Sequence, residues 1–183
     1  MDDLELDLYI RKCASKNINS PVNISESSEL FLLALNLLIN KSKNNIRMII
    51  NFHKGQASQT IFDSLNEDVV INNVVDFLKM KNSKIHILTN EQKRVRDSVF
   101  FKKTSEFSSQ IKLRAIPPKI YEEISNKGLD LLIADENSVI VGACYYQPNY
   151  YVNFGDESAY EKLNSYFNRL KTAVDALGGA KYD

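Results

Sequence analysis

Residues 128–156, GLDLLIADENSVIVGACYYQPNYYVNFGD, decide how this chain is read. Residues 129–134 and 139–144 are short apolar runs rich in branched side chains. Asp135-Glu136-Asn137-Ser138 between them is turn chemistry, so the spacing predicts a β-hairpin. A Tyr-rich loop follows, then a short strand over 151–154 that runs into Gly155-Asp156. Beyond it, Tyr160, Leu163, Phe167, Leu170 and Val174 share one face of a long helix over 157–177, which Gly178-Gly179 ends.

Upstream of the hairpin, strands and helices alternate. RMIINF (47–52), KIHILT (84–89) and 111–116 read as strands, with helices expected over 69–80 and 97–108. The stretch 60–68 reads as a loop or a short helix. Pro117 and Pro118 break the chain before a short helix over 120–125, which Lys127-Gly128 closes. Ser25 or Ser27 caps a strong helix, ESSELFLLALNLLINKSK. Residues 2–16 form a further helix with acids first and bases last, as the helix dipole favours. Residues 17–25, with Pro21, read as a linker. The order implies an α/β fold, a mixed and mostly parallel sheet flanked by helices on both faces. The expected organisation is an N-terminal helix and linker (1–25), an α/β domain (26–178) and a tail (179–183).

Composition narrows the chemistry. With 183 residues, one domain with a full core is expected. Lys+Arg and Asp+Glu both number 23, which argues against broad, non-specific nucleic-acid binding but allows a local basic patch. Cys13 and Cys144 are far apart with no CxxC pair or His cluster, so no metal site and no cofactor are expected, and a reduced cytoplasmic setting is. Acidic residues after Met1 do not fit a secretory signal. The longest apolar run, 30–39, is interrupted by Asn36 and is too short to span a bilayer, so no membrane partner is expected.

The hairpin segment resembles the signature of the phospholipase D-like superfamily, His-x-Lys-x4-Asp-x6-Gly-Ser-x-Asn. Asp135 and Gly142 match in type and spacing. Gly128 and Asp130 stand at the His and Lys positions, Ala143 at the Ser and Tyr145 at the Asn. The element order from about Ser27 to Leu177 matches single-motif members, and Asn153 with Asp156 or Glu157 resembles their downstream Asn and acidic residue. In active members the His attacks phosphorus and the lysines hold phosphate oxygens. The resemblance therefore implies the fold with the standard chemistry absent: a pseudoenzyme, a bacterial binding or assembly subunit acting near nucleic acid or in phage defence. It also implies a homodimer, or a subunit of a larger complex, joined beside the hairpin.

Candidate residues follow from these readings. His53 and Lys54 come directly after the first strand of the α/β unit, where such folds place ligands, and are the candidates for residual phosphodiesterase or nuclease chemistry. Asp135 is a further catalytic candidate, with a structural alternative as an acceptor of backbone N–H groups in the hairpin turn. Asn153 and Asp156 join His53 and Lys54 as ligand-binding candidates. His86, between Ile85 and Ile87, reads as a structural histidine, with a His53–His86 pair as the alternative. Lys93, Arg94, Arg96, Lys102 and Lys103, interleaved with Phe100 and Phe101, form a candidate nucleic-acid patch. Tyr145, Tyr146, Tyr150 and Tyr151 are the candidate interface.

Overall fold

The computed structural model describes residues 2–25, 27–52, 57–125, 129–135, 137–143 and 149–177. Its elements run α1 (Asp3–Lys16), β1 (Val22–Ser25), α2 (Ser28–Lys41), β2 (Asn45–Ile50), α3 (Ala57–Leu65), α4 (Asp68–Leu78), β3 (Lys84–Thr89), α5 (Gln92–Arg96) and α6 (Val99–Lys103). After a 3-10 turn (Ser105–Phe107) come β4 (Ile111–Ala115), α7 (Pro118–Ser125), β5 (Leu129–Ala134), β6 (Ser138–Ala143), β7 (Asn149–Asn153) and α8 (Glu157–Leu177).

The strands form one sheet in the order β1-β7-β6-β5-β2-β3-β4. β2, β3 and β4 are parallel, whereas β5 joins β2 antiparallel and β6, β7 and β1 continue antiparallel. Two apolar cores line its faces. The larger gathers α1, α2, α3, α4, α5 and α6 over Ile46, Met48, Ile85, Ile87 and Leu132. The smaller seats Phe167, Leu170 and Val174 of α8 and Ile120 of α7 on Ile49, Leu88, Leu131, Ile133 and Val139. Ser27 caps α2 through the Leu30 N–H, and Asp2 with Glu5 makes a reciprocal capping box on α1.

Three local readings change. Residues 17–25 are more than a linker, because Val22 and Ile24 point inward and β1 pairs with β7. The helix expected over 97–108 breaks at Ser98, whose hydroxyl donates to the Val95 carbonyl and accepts the Phe101 N–H. The stretch 60–68 is helical through Leu65 and begins α4 at Asp68.

The first helix is tied to the last turn of the sheet. Asn17, in the left-handed region at φ 50°, ends α1, and Lys41 Nζ donates to the Ala14 carbonyl at 2.9 Å. Gly155 abuts this cap so closely that an added Cβ would lie 2.8 Å from the Asn17 carbonyl carbon and 2.9 Å from the Asn19 nitrogen. Those atoms are backbone and cannot swing aside. Gly155→Ala is expected to cost about 1–3 kcal/mol, read as a lower midpoint in denaturant unfolding. An unchanged midpoint would show that α1 does not hold this turn.

Candidate functional site

By register, the carboxyl end of β2 lies level with the start of β5, the end of β6 and the start of β7. Asp130 stands opposite Gly142, and Gly142 opposite Tyr150. Alternation puts Asp130 on the face of Leu132, under the larger core. Its side chain is 3% exposed, and Oδ1 accepts the Asn51 N–H at 2.7 Å. Burial pushes this carboxyl up from 3.8 to about 7, and the Asn51 hydrogen bond only partly offsets it. Asn51 is 2% exposed, and among the described residues neither polar atom of its carboxamide has a partner. Such orphaned buried amides are uncommon.

The neighbouring strand end is fastened to this one. Asn90 Oδ1 accepts the Phe52 N–H at 2.8 Å and Asn90 Nδ2 donates to the Phe52 carbonyl at 2.7 Å. The Tyr121 hydroxyl donates to the same carbonyl at 3.3 Å. Burial, then Glu91 and Asp130, raise that phenol above its ordinary range. His53 and Lys54, the next residues after Phe52, lie outside the described residues, as do Gly128, Cys144, Tyr145 and Tyr146.

Asp135, Asn153 and Asp156 sit at the other end of the strands. Asp135 Oδ2 accepts the N–H groups of Lys43 at 3.1 Å, of Asn44, and of Asn45 at 2.8 Å. The carboxylate thus organises the turn between α2 and β2. Buried Asn153 donates to Asn19 Oδ1 at 2.9 Å and accepts the Gly155 N–H at 3.0 Å. Asp156 caps α8 through the Ala159 N–H at 2.9 Å and accepts the Tyr151 hydroxyl at 3.0 Å. Both therefore have local structural partners, a full sheet width from Asn51.

The tyrosines separate by alternation. Tyr150 is buried, its ring 4.2 Å from that of Phe31, and presents no area to a partner. Tyr151 is half-buried on the α8 side. In the basic segment, the Arg94 guanidinium lies 4.2 Å from the Phe52 ring centroid, hydrogen-bonds Gln59 and reaches Glu91 at 3.4 Å. Lys103 pairs with Asp68 at 2.6 Å. Lys93, Arg96 and Lys102 are exposed. Phe100 is core, so it is not available to stack on a base.

A second group of basic side chains, one of them His86 that the sequence reads as structural, was not recognised as a group. Arg47, His86 and Lys112 are direct partners across β2, β3 and β4, and Arg47 also pairs with Ile133. All three therefore share the α8 face. The available signal was the period-two pattern of KIHI and IKLRA, whose polar positions mark one face of each strand. Among the described residues, no group of three or more His, Cys, Asp or Glu could hold a metal ion. No helix among them is long and apolar enough to cross a membrane.

No family model matches the sequence, and no curated protein matches it. Solved structures of similar architecture include the following two. One is Nuc, a phospholipase D family member from Salmonella typhimurium, at TM-score 0.52 and 14% identity over 84% of this chain and 95% of that one. The chain has a phospholipase D-like fold. The other is TrmBL2, an archaeal chromatin protein described as showing a novel mode of DNA binding, at TM-score 0.52 and 17% identity. That match covers 91% of this chain and 57% of TrmBL2, so the chain spans just over half of that protein.

Within this phospholipase D-like domain, Asp130 sets a pH dependence of stability. Its folded-state pKa of about 7 exceeds the ordinary 3.8, so the native state binds the proton more tightly than the unfolded chain. Stability is fully retained below pH ~4, falls between pH ~4 and ~7, and stays lowered above that, by up to ~4 kcal/mol. Asp130→Asn removes the charge and is expected to raise the unfolding midpoint at pH 8 while changing it little at pH 4. An equal shift at both values would mean that the carboxyl is not forced to ionise in a buried setting.

Proposed function

We propose that the chain is a non-catalytic phospholipase D-like domain that works as a binding subunit, with nucleic acid as its ligand. The observation that carries this reading is Asp130. On the motif alignment it occupies the position of a phosphate-holding lysine, and it is a buried acid tied to the Asn51 N–H. A carboxylate there repels a phosphodiester and supplies none of the charge stabilisation that the reaction needs. Gly128 at the nucleophile position has no side chain to attack phosphorus.

The ligand class draws support from TrmBL2, a chromatin protein of the same fold. It draws further support from exposed cations on the β4 side of the sheet and from Lys93, Arg96 and Lys102. With 23 basic and 23 acidic residues, any affinity for nucleic acid must come from local segregation of charge. Self-association beside the hairpin, through the segment that holds Tyr145 and Tyr146, belongs to the same reading.

The decisive assay pairs hydrolysis with binding. The purified chain should show no turnover of a generic phosphodiester or of DNA with any divalent cation, and should bind a fluorescent DNA duplex with an affinity that falls steeply with salt. Turnover that disappears in His53→Ala would instead establish a phosphodiesterase with a displaced site around His53 and Lys54. Absence of DNA binding at low salt would remove nucleic acid as the ligand.

A further inference from the structure

The face of the sheet that α8 covers is apolar over β5 and β6 and turns basic towards β4. One cross-strand row shows the change: Val139, Ile133, Arg47, His86 and Lys112 are successive partners on five strands. Val139 and Ile133 lie under α8, whereas Lys112 is exposed and Arg47 and His86 are half-buried. Neighbouring strands are ~4.8 Å apart, so the three basic side chains follow one another at that interval. Arg114 flanks the row on β4, and Lys171 reaches it from α8.

These cations are poorly neutralised. The carboxylate among them, Asp175, is engaged by Lys171 at 2.5 Å and by Arg114 at 3.8 Å. Among the described residues, Arg47 and Lys112 have no ion-pair partner, and Arg47 Nη1 is buried without a hydrogen-bond acceptor. His86, Leu88, Lys112, Arg114, Lys171 and Asp175 enclose a recess of about 60 Å³. That is well above the ~10–15 Å³ that one water needs. The field in this recess is visible at His86, whose pKa falls from 6.5 to about 4 through burial and then through Lys112, Arg47, Lys171 and Lys84. At neutral pH the imidazole is uncharged, and its N–H can donate to an anionic oxygen.

We propose that this recess is a phosphate site, seating a backbone phosphate of a nucleic acid between His86, Lys112, Arg114 and Lys171, with the Arg47 charge behind it on the next strand. The charge complementarity of the lining, His86, Lys112, Arg114 and Lys171 against one carboxylate, is its warrant. The site lies on a different face and at a different level of the sheet from Asp130, so it owes nothing to the motif positions. It rests on the reading that the domain binds nucleic acid and says where.

Lys112 and Arg114 are exposed on an edge strand, so Lys112→Gln with Arg114→Gln should leave the fold intact, which an unchanged unfolding midpoint checks. Binding of a fluorescent DNA duplex is then measured across salt concentrations. The double variant is expected to lose roughly tenfold in affinity per lost contact at ~0.1 M salt and to lower the slope of log K against log salt by about 2. Lys102→Glu with Lys103→Glu, on the other basic segment, should do less. If the wild type binds DNA and the Gln variant binds it equally with the same slope, the recess is not the site, while the nucleic-acid reading stands. If the wild type binds no DNA, that reading fails and the proposal with it.

A second readout does not depend on affinity. With DNA bound, the His86 imidazole should titrate above its free value in an NMR pH series, because the phosphate offsets the surrounding cations. A His86 titration unmoved by bound DNA would overturn the proposal even if the Gln variant binds weakly.

Discussion

The structure depends on how β5 is held against β2. This pair joins a parallel half of the sheet to an antiparallel half, and nothing in a hairpin alone fixes its register to a distant strand. Two carboxylates of β5 and its turn bracket the pairing. Asp135 gathers the Lys43, Asn44 and Asn45 N–H groups where β2 begins. Asp130 takes the Asn51 N–H where it ends. Each satisfies backbone donors that lie beyond the ladder and that would otherwise be left bare at a cost of about 1–3 kcal/mol. The two acids differ in setting. Asp135 is half-exposed and caps a surface turn, whereas Asp130 is buried and carries the cost of its own ionisation.

That difference follows from what surrounds each acid. Asp130 finds the Asn51 N–H in place and needs no ligand to satisfy it, at the expense of a carboxyl that ionises only near pH 7. Among the described residues the Asn51 carboxamide beside it has no partner, which leaves this strand end incompletely satisfied.

Much of this was legible in the sequence, and what was not has physical reasons. The hairpin, α8 and the parallel strands announce themselves because each buries a regular apolar face. β1 does not, since four residues with two inward positions carry little periodic signal after Pro21. The helix expected over 97–108 has the right composition, but Ser98 offers its hydroxyl both to the turn behind it and to the helix ahead, and the chain takes that local bond. Tyr150 and Tyr151 look alike in sequence and part company because successive strand residues face opposite sides. The Arg47–His86–Lys112 row was the least legible feature. Its members come from three strands, and only the register of those strands makes them neighbours.

The chirality of the chain accounts for why that row is uncovered. Parallel strands are joined by right-handed crossovers, and successive crossovers that advance in one direction put their helices on one face. β2 leads to β3 through α3 and α4, and β3 to β4 through α5 and α6. Val70, Val74, Val95 and Phe100 from these helices all enter the same core. The opposite face of the parallel half therefore receives no crossover helix. Among the described residues, α7, on the return from β4 to β5, and α8 are the helices that cross it. α8 lies over β5 and β6, reaching Leu88 but leaving Lys112 in solvent. A sheet face that topology leaves open must be polar to stay in water, which alone would favour scattered charges of both signs. Basic residues on three adjacent strands, with Asp175 as the counter-charge, are a more specific outcome than solvation requires.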